Sequence, residues 1–348
     1  MRATGNIAGL PSAVRASFDL HRPRGLVEAR RDSVAILLGT AALASVPLLF
    51  PNAALLSTLT VMFVWMSVNM AWNLVLGYAG MLSFGQMAFF AVGGYTATIL
   101  NVHLGIAPWL DTPAGGVAGG VAALLIGLAA IRLRGVYVAL VTLAFHELLR
   151  SLVSTDYSGL TGGPNGLSAA PYINVPNLLV QARFGYGAGL AMTGAIAILV
   201  ILVLNSPIGL GLVASRDAEH VATARGVHRT KYQMIAFVLS GAVAGLMGGF
   251  YAHYIGVVAP TLFNFGIVIS LLSMIIVGGW GTFWGPILGT IVMTIITSYV
   301  QDRFPRYQSL FIAVILVAIV LVLRQGLVGL GRDMLRRVGA LSGRSGIP

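Results

Sequence analysis

His146 and Glu147 stand side by side in an apolar stretch, with Arg150 one helical turn further on. An acid beside an imidazole inside a membrane is a candidate for ion coupling or for a transport pathway. The spacing also allows a plainer role, because residues three apart on a helix face each other and Glu147 can pair with Arg150. A zinc site of the H-E-x-x-H kind does not form, since no second histidine follows at that spacing. The single lysine, Lys231, follows Arg229 and Thr230 and closes no glycine-rich turn, so the chain is not its own P-loop ATPase. It has no cysteine, which excludes disulfides and thiolate metal sites. No catalytic residue, metal or cofactor is expected.

A second group has polar and small residues where a membrane helix would carry Leu or Val. Residues 77–100 read "GYAGMLSFGQMAFFAVGGYTATIL", with Gly77, Gly80, Gly85, Gly93 and Gly94 beside Ser83 and Gln86. Glycine permits a non-helical turn and close backbone approach. Broken backbone at membrane depth persists only where protein or a water-filled cavity satisfies it. Gly80, Ser83, Gly85 and Gln86 are therefore pathway candidates, with Glu147. A second glycine-broken stretch, "GGWGTFWGPILG" at 278–289, adds Gly281. Tight helix packing through small residues explains the same glycines without a pathway.

These residues must be positioned by membrane helices. Of 348 residues, 57% are hydrophobic and 9% charged, against roughly 25% charged in a soluble domain. No Asp, Glu, Lys or Arg occurs from Ser33 to Leu110 or from Tyr232 to Gln301. A span takes about 20 residues, so each block holds several. The apolar runs predict ten spans near 33–50, 54–76, 84–101, 114–131, 136–153, 186–204, 233–255, 266–280, 286–300 and 309–324. The expected fold is an all-α integral membrane protein. Its paired glycine-broken segments, one in each half, point to internal inverted repeats.

The segment "RRDSVAILLGTAALAS" imitates a secretory signal, but its apolar run continues to Phe50 and further spans follow, so it reads as the first span. Residues 1–32 form a basic tail, 33–324 the membrane domain and 325–348 a second tail. With both termini placed in the cytoplasm, seventeen Lys and Arg lie inside and four (Arg150, Arg183, Arg303, Arg306) outside, the asymmetry of the positive-inside rule. The net charge of +11 thus flanks membrane helices, and no nucleic-acid surface is expected. Residues 154–185 fall outside as a loop rich in Gly, Pro and Asn. Residues 205–232 fall inside and carry a helical rhythm, with Val213, Val221 and Ala224 on one face. Gly226 is expected to end a short helix there with positive φ.

"GYAGMLSFGQMAFFAVGGYTA", "LRGVYVALVTLAFHELLR", "TGGPNGL", "SPIGLGLVASRDAEHVATARGV" and "VGGWGTFWGPILGT" occur in that order over residues 77–289. Together they resemble the LivM-type permease of branched-chain amino acid ABC importers. The resemblance implies a bacterial inner-membrane subunit that works with a second, homologous permease subunit, two cytoplasmic ABC ATPase subunits and a periplasmic substrate-binding protein. It implies that 205–232 is the ATPase-coupling loop, with Arg216, Asp217, Glu219, Ala222, Ala224 and Gly226 in it. The family's E-A-A…G pattern is degenerate here, since His220 and Val221 follow Glu219. Its Arg-Pro-Arg-Gly-Leu ending is replaced by Arg324-Gln325-Gly326-Leu327. The implied function is ATP-driven import of branched-chain amino acids or a related small solute, with ATP hydrolysed by the partner subunits. The competing class is a self-sufficient secondary transporter or channel coupled through Glu147 or His146. A membrane enzyme is disfavoured, because no polar site clusters.

Overall fold

The computed structural model describes residues 26–156, 158–303 and 326–329. Its long helices are α1 (Leu26–Ala44), α2 (Ala53–Asn73), α3 (Gln86–Leu104), α4 (Pro108–Ala130), α5 (Val136–Ser154) and α6 (Leu178–Leu204). Two short helices follow, α7 (Pro207–Asp217) and α8 (Glu219–Ala224). Then come α9 (Arg229–Ile255), α10 (Phe265–Gly278) and α11 (Trp284–Arg303). Among the described residues, seven helices are long and apolar enough to cross a membrane, and α10 and α11 are shorter apolar helices. Nine of the ten expected spans coincide with helices; the tenth, 309–324, and most of both tails lie outside the described residues. The chain is an all-α, multi-pass membrane protein. Among the described residues, one small sheet pairs β1 (Leu167–Ser168) with β2 (Val257–Val258).

Several helix ends are set by local chemistry. Asn52, Asn177 and Asn264 each cap a helix start through their side-chain oxygen, which satisfies N–H groups that no preceding turn can serve. Pro108 and Pro207 open α4 and α7, where a missing N–H costs nothing. Helix α4 starts earlier than the expected residue 114 and takes Asp111 into its first turn. Helix α6 starts at 178 rather than 186, so Gln181 and Arg183 lie within it; long polar side chains reach the interface from a helix end.

The core sits where α3, α4 and α9 meet backbone to backbone. A Cβ on Gly119 would lie 2.5 Å from the Gly241 carbonyl oxygen, and one on Gly115 2.6 Å from that of Gly93. A Cβ on Gly93, Gly245 or Gly248 would overlap a neighbouring backbone outright. Small residues of this kind let membrane helices approach closely enough to gain dispersion contacts. Gly93 and Gly94 of the first glycine-rich stretch therefore serve packing. Phe89, Phe90, Phe237 and Phe250 fill the layer beside the seam.

Candidate functional site

Two places in the bundle gather polar groups. At one end, Arg132, Arg134, Arg216, Arg225, Arg229 and Lys231 collect around α7 and α8; this is the basic end. Here α2 runs into a π-helical turn, Leu74–Tyr78, and the chain reverses through Gly80 at φ +66°. That left-handed conformation strains any residue with a Cβ. The second glycine-broken stretch meets the first at this point. A Cβ on Gly77 would lie 2.7 Å from Gly281 Cα. Asn73 at the end of α2 holds the second stretch there: its Oδ1 accepts from Gly281 N at 2.9 Å, and its Nδ2 donates to the Thr282 carbonyl at 2.9 Å. The two segments matched in the sequence thus face each other across α2.

Arg216 on α7 is seated over this junction. Its guanidinium donates to the Gly77 carbonyl and, through Nε, to Asp217 Oδ1 at 2.7 Å. Its side chain is only 18% exposed, and a Cβ on Gly80 would lie 2.7 Å from Arg216 Cγ. Gln233 Nε2 donates to the Ala79 carbonyl at 3.3 Å. A cleft of about 420 Å³ opens there, bounded by Leu76, Gly80, Leu82, Arg216, Asp217 and Trp280. Helix α8 carries Glu219, which pairs with Arg134 at 3.0 Å and Arg229 at 2.9 Å. The Arg229 hydrogen bond holds the Glu219 carboxyl below its ordinary range. Ala222 is buried, whereas Ala224 is exposed. Gly226 has φ +81°. Its N–H donates to the Thr223 carbonyl and that of Val227 to Ala222, both at 3.0 Å, the bond pair that ends a helix through a left-handed residue. The expected face of Val213, Val221 and Ala224 is not continuous. The chain breaks at Ala218 (φ −147°, ψ 65°), so Val221 and Ala224 turn outward while Leu212, Ser215 and Ala222 are buried.

Ser83 and Gln86 are both buried and use their polar groups on protein. Ser83 Oγ accepts from Gly85 N at 3.3 Å, and the Ser83 carbonyl accepts from Trp72 Nε1 at 2.9 Å. Gln86 Oε1 accepts from Ser240 Oγ at 2.9 Å, which ties α3 to α9. Gly85 precedes α3, with Thr142 and Phe89 against it. The structure therefore brings Gly80 and Gly281 together near Arg216 and turns Ser83 and Gln86 into the helix packing. Glu147 lies apart from both groups. Its pair with Arg150 spans 3.2 Å, with side chains 47% and 51% exposed. His146 is buried and donates from Nε2 to the Phe263 carbonyl at 2.8 Å.

At the opposite end is a cavity of about 560 Å³ between α2, α6, α9, α11 and the segment before α6. Ser57, Thr58, Gln181, Thr297 and Ser298 supply hydroxyl and amide groups, while Trp65, Tyr172 and Phe184 supply aromatic walls. Among the described residues, no Asp, Glu, Lys or Arg lines it. Sequence reading missed it, because its polar residues are scattered over elements far apart in the chain. The signal it offered was hydroxyl residues recurring near the ends of apolar runs.

The family described as "Branched-chain amino acid transport system / permease component" matches residues 54–320. The chain belongs to the branched-chain amino acid transport permease family. It is 29% identical over 313 residues to the high-affinity branched-chain amino acid transport system permease protein LivM of Escherichia coli strain K12, covering 83% of this chain and 73% of that protein. The LivM protein of Salmonella typhimurium is 27% identical over 305 residues, covering 81% and 71%. A probable branched-chain amino acid transport permease protein, LivH, of Methanocaldococcus jannaschii is 27% identical over 274 residues, covering 74% and 85%. No solved structure matches the chain. The matched family region takes in both glycine-broken turns, α7, α8 and the cavity. These relatives are named as transport permease proteins.

Proposed function

We propose that this chain is the translocation subunit of an ATP-driven, binding-protein-dependent importer in a bacterial inner membrane, with both termini cytoplasmic. It works with a second homologous permease, two ABC ATPase subunits and a periplasmic binding protein. The solute is small and carries no net charge, as a branched-chain amino acid does. The observation that carries this reading is the seating of Arg216. The short α7–α8 pair stands at the basic end, and its arginine is keyed into the place where α2 breaks. A displacement of that pair by a docked ATPase reaches the helix break directly. The cavity supports the solute class. A net charge moved there from water would find no Asp, Glu, Lys or Arg among the described lining residues, and that desolvation is costly. The two ends of a zwitterion are served by hydroxyl, amide and carbonyl groups.

The reading is tested by uptake in a strain deleted for the chain, with labelled leucine, isoleucine, valine, urea, short amides, lysine and glutamate. Complementation should restore uptake of one or more uncharged or zwitterionic solutes. Restored uptake of lysine or glutamate alone would contradict the solute class. Uptake that persists when no ABC ATPase subunit is present would favour a self-sufficient transporter.

A further inference from the structure

Asp111 in the first turn of α4 and His253 in the last turn of α9 are both fully buried, and no role given above uses them. His253 Nδ1 lies 2.6 Å from the Ala170 carbonyl oxygen. That oxygen only accepts, so Nδ1 carries a proton and donates it. His253 Nε2 lies 2.8 Å from Asp111 Oδ1, and this contact needs one further proton, on the nitrogen or on the carboxyl. Either way the pair is net neutral. Removing one partner would leave the other buried without its match.

The Ala170 carbonyl belongs to the segment between β1 and α6. Ala169 N donates to the Gly256 carbonyl at 3.0 Å, and Ala170 N to Asn101 Oδ1 at 3.1 Å. Beyond Ala170, residues 171–176 make no backbone–backbone hydrogen bond among the described residues. Pro171, Tyr172 and Ile173 nevertheless form a wall of the cavity. Besides the Asn101 bond, two side-chain clamps hold that wall at its start, and Gln181 Nε2 donates to the Val175 carbonyl at 3.0 Å further along. His253 takes the Ala170 carbonyl, and Thr112 Oγ1 meets the Tyr172 hydroxyl at 2.5 Å. Burial keeps the Tyr172 phenol raised well above its ordinary value, so it stays a hydroxyl. The Tyr172 ring also packs on Trp109, Phe184 and Phe250, and a segment held by side chains with no backbone ladder opens more readily than one paired in a sheet.

We propose that the Asp111–His253 pair is a latch that holds Ala170–Ile173 as the movable outer wall of the cavity, and that solute enters when this segment lifts away. His253 is thus a positioning residue. The uptake consequence rests on the importer reading above; the latch itself does not. Asp111→Asn should preserve it. An amide nitrogen at the Oδ1 position donates to a neutral Nε2, and its oxygen falls where Asp111 Oδ2 has no partner among the described residues.

The test uses the full chain in its assembled complex in lipid nanodiscs, without binding protein or nucleotide. Thr297→Cys reports on the cavity, and the chain has no native thiol to interfere. The rate of modification by a small polar thiol reagent is read on this chain by mass. His253→Ala and Asp111→Leu should each raise that rate about tenfold or more, which corresponds to about 1.4 kcal/mol. Asp111→Asn should leave it within about twofold and should retain uptake. An unchanged rate in a correctly assembled His253→Ala complex overturns the latch. So does an Asp111→Asn complex that labels normally yet cannot transport, since that marks the pair as a proton carrier. Should either latch variant fail to accumulate, Thr112→Val with Tyr172→Phe removes only the second clamp. A smaller rise is then expected, and no rise contradicts the proposal. If the importer reading is wrong, ATP-dependent uptake is absent while the labelling differences persist.

Discussion

Glu219 and Gly226 show what single residues do at the basic end. The Arg229 hydrogen bond lowers the Glu219 carboxyl in the folded state. Its contribution to holding α8 is therefore complete above the ordinary carboxylate range and is lost as pH falls through the lowered folded value. ATPase-subunit binding to the purified permease, followed by titration calorimetry, should weaken over that acidic window. Glu219→Gln should flatten the dependence, and an equal dependence in both proteins would remove Glu219 from the account. Gly226→Val places a β-branched residue at φ +81°, where an L-residue pays about 1–2 kcal/mol. The added Cβ meets nothing within 4 Å, so the cost is local. Membrane accumulation should stay near wild type while uptake falls several-fold. Wild-type uptake would mean that the end of α8 plays no part in coupling.

At the scale of elements, glycines that look alike in sequence separate into two kinds. Gly245 lies in the seam of α3, α4 and α9, where a Cβ overlaps the Gly115 backbone. Overpacking a core typically costs about 1–3 kcal/mol when side chains can move, and backbone cannot move that readily. Gly245→Leu should therefore lower the amount of assembled protein. Gly80 meets the flexible Arg216 side chain instead. Gly80→Leu should assemble and lose uptake, as shown by transport rate per unit of complex from a quantitative blot. If both variants lose protein equally, Gly80 is a packing glycine as well. This division was not legible in the sequence, because close approach depends on which helices touch. The existence and order of the helices were legible from long apolar runs and charge-free blocks. Their ends were less so: the span expected from 114 leaves out Asp111, because charge marks a boundary in sequence even where a buried histidine receives it. Asn73 was not legible either, because an uncharged amide inside an apolar run carries no signal of its partner, although it ties α2 to the second glycine turn.

For the whole molecule, the architecture separates a net-uncharged cavity at one end from an arginine-keyed junction at the other, with α2 and α9 running between them. A mechanism that moves solute must connect the two, and the chain has no nucleotide-binding turn with which to do so alone. The most direct measurement is solute uptake into proteoliposomes that contain this chain, its partner permease and the ATPase subunits, with binding protein and ATP supplied on their respective sides. The account predicts uptake that requires ATP, binding protein and ATPase subunits together, and no ATP hydrolysis by the isolated chain. Robust uptake by the isolated chain in ATP-free liposomes would contradict it.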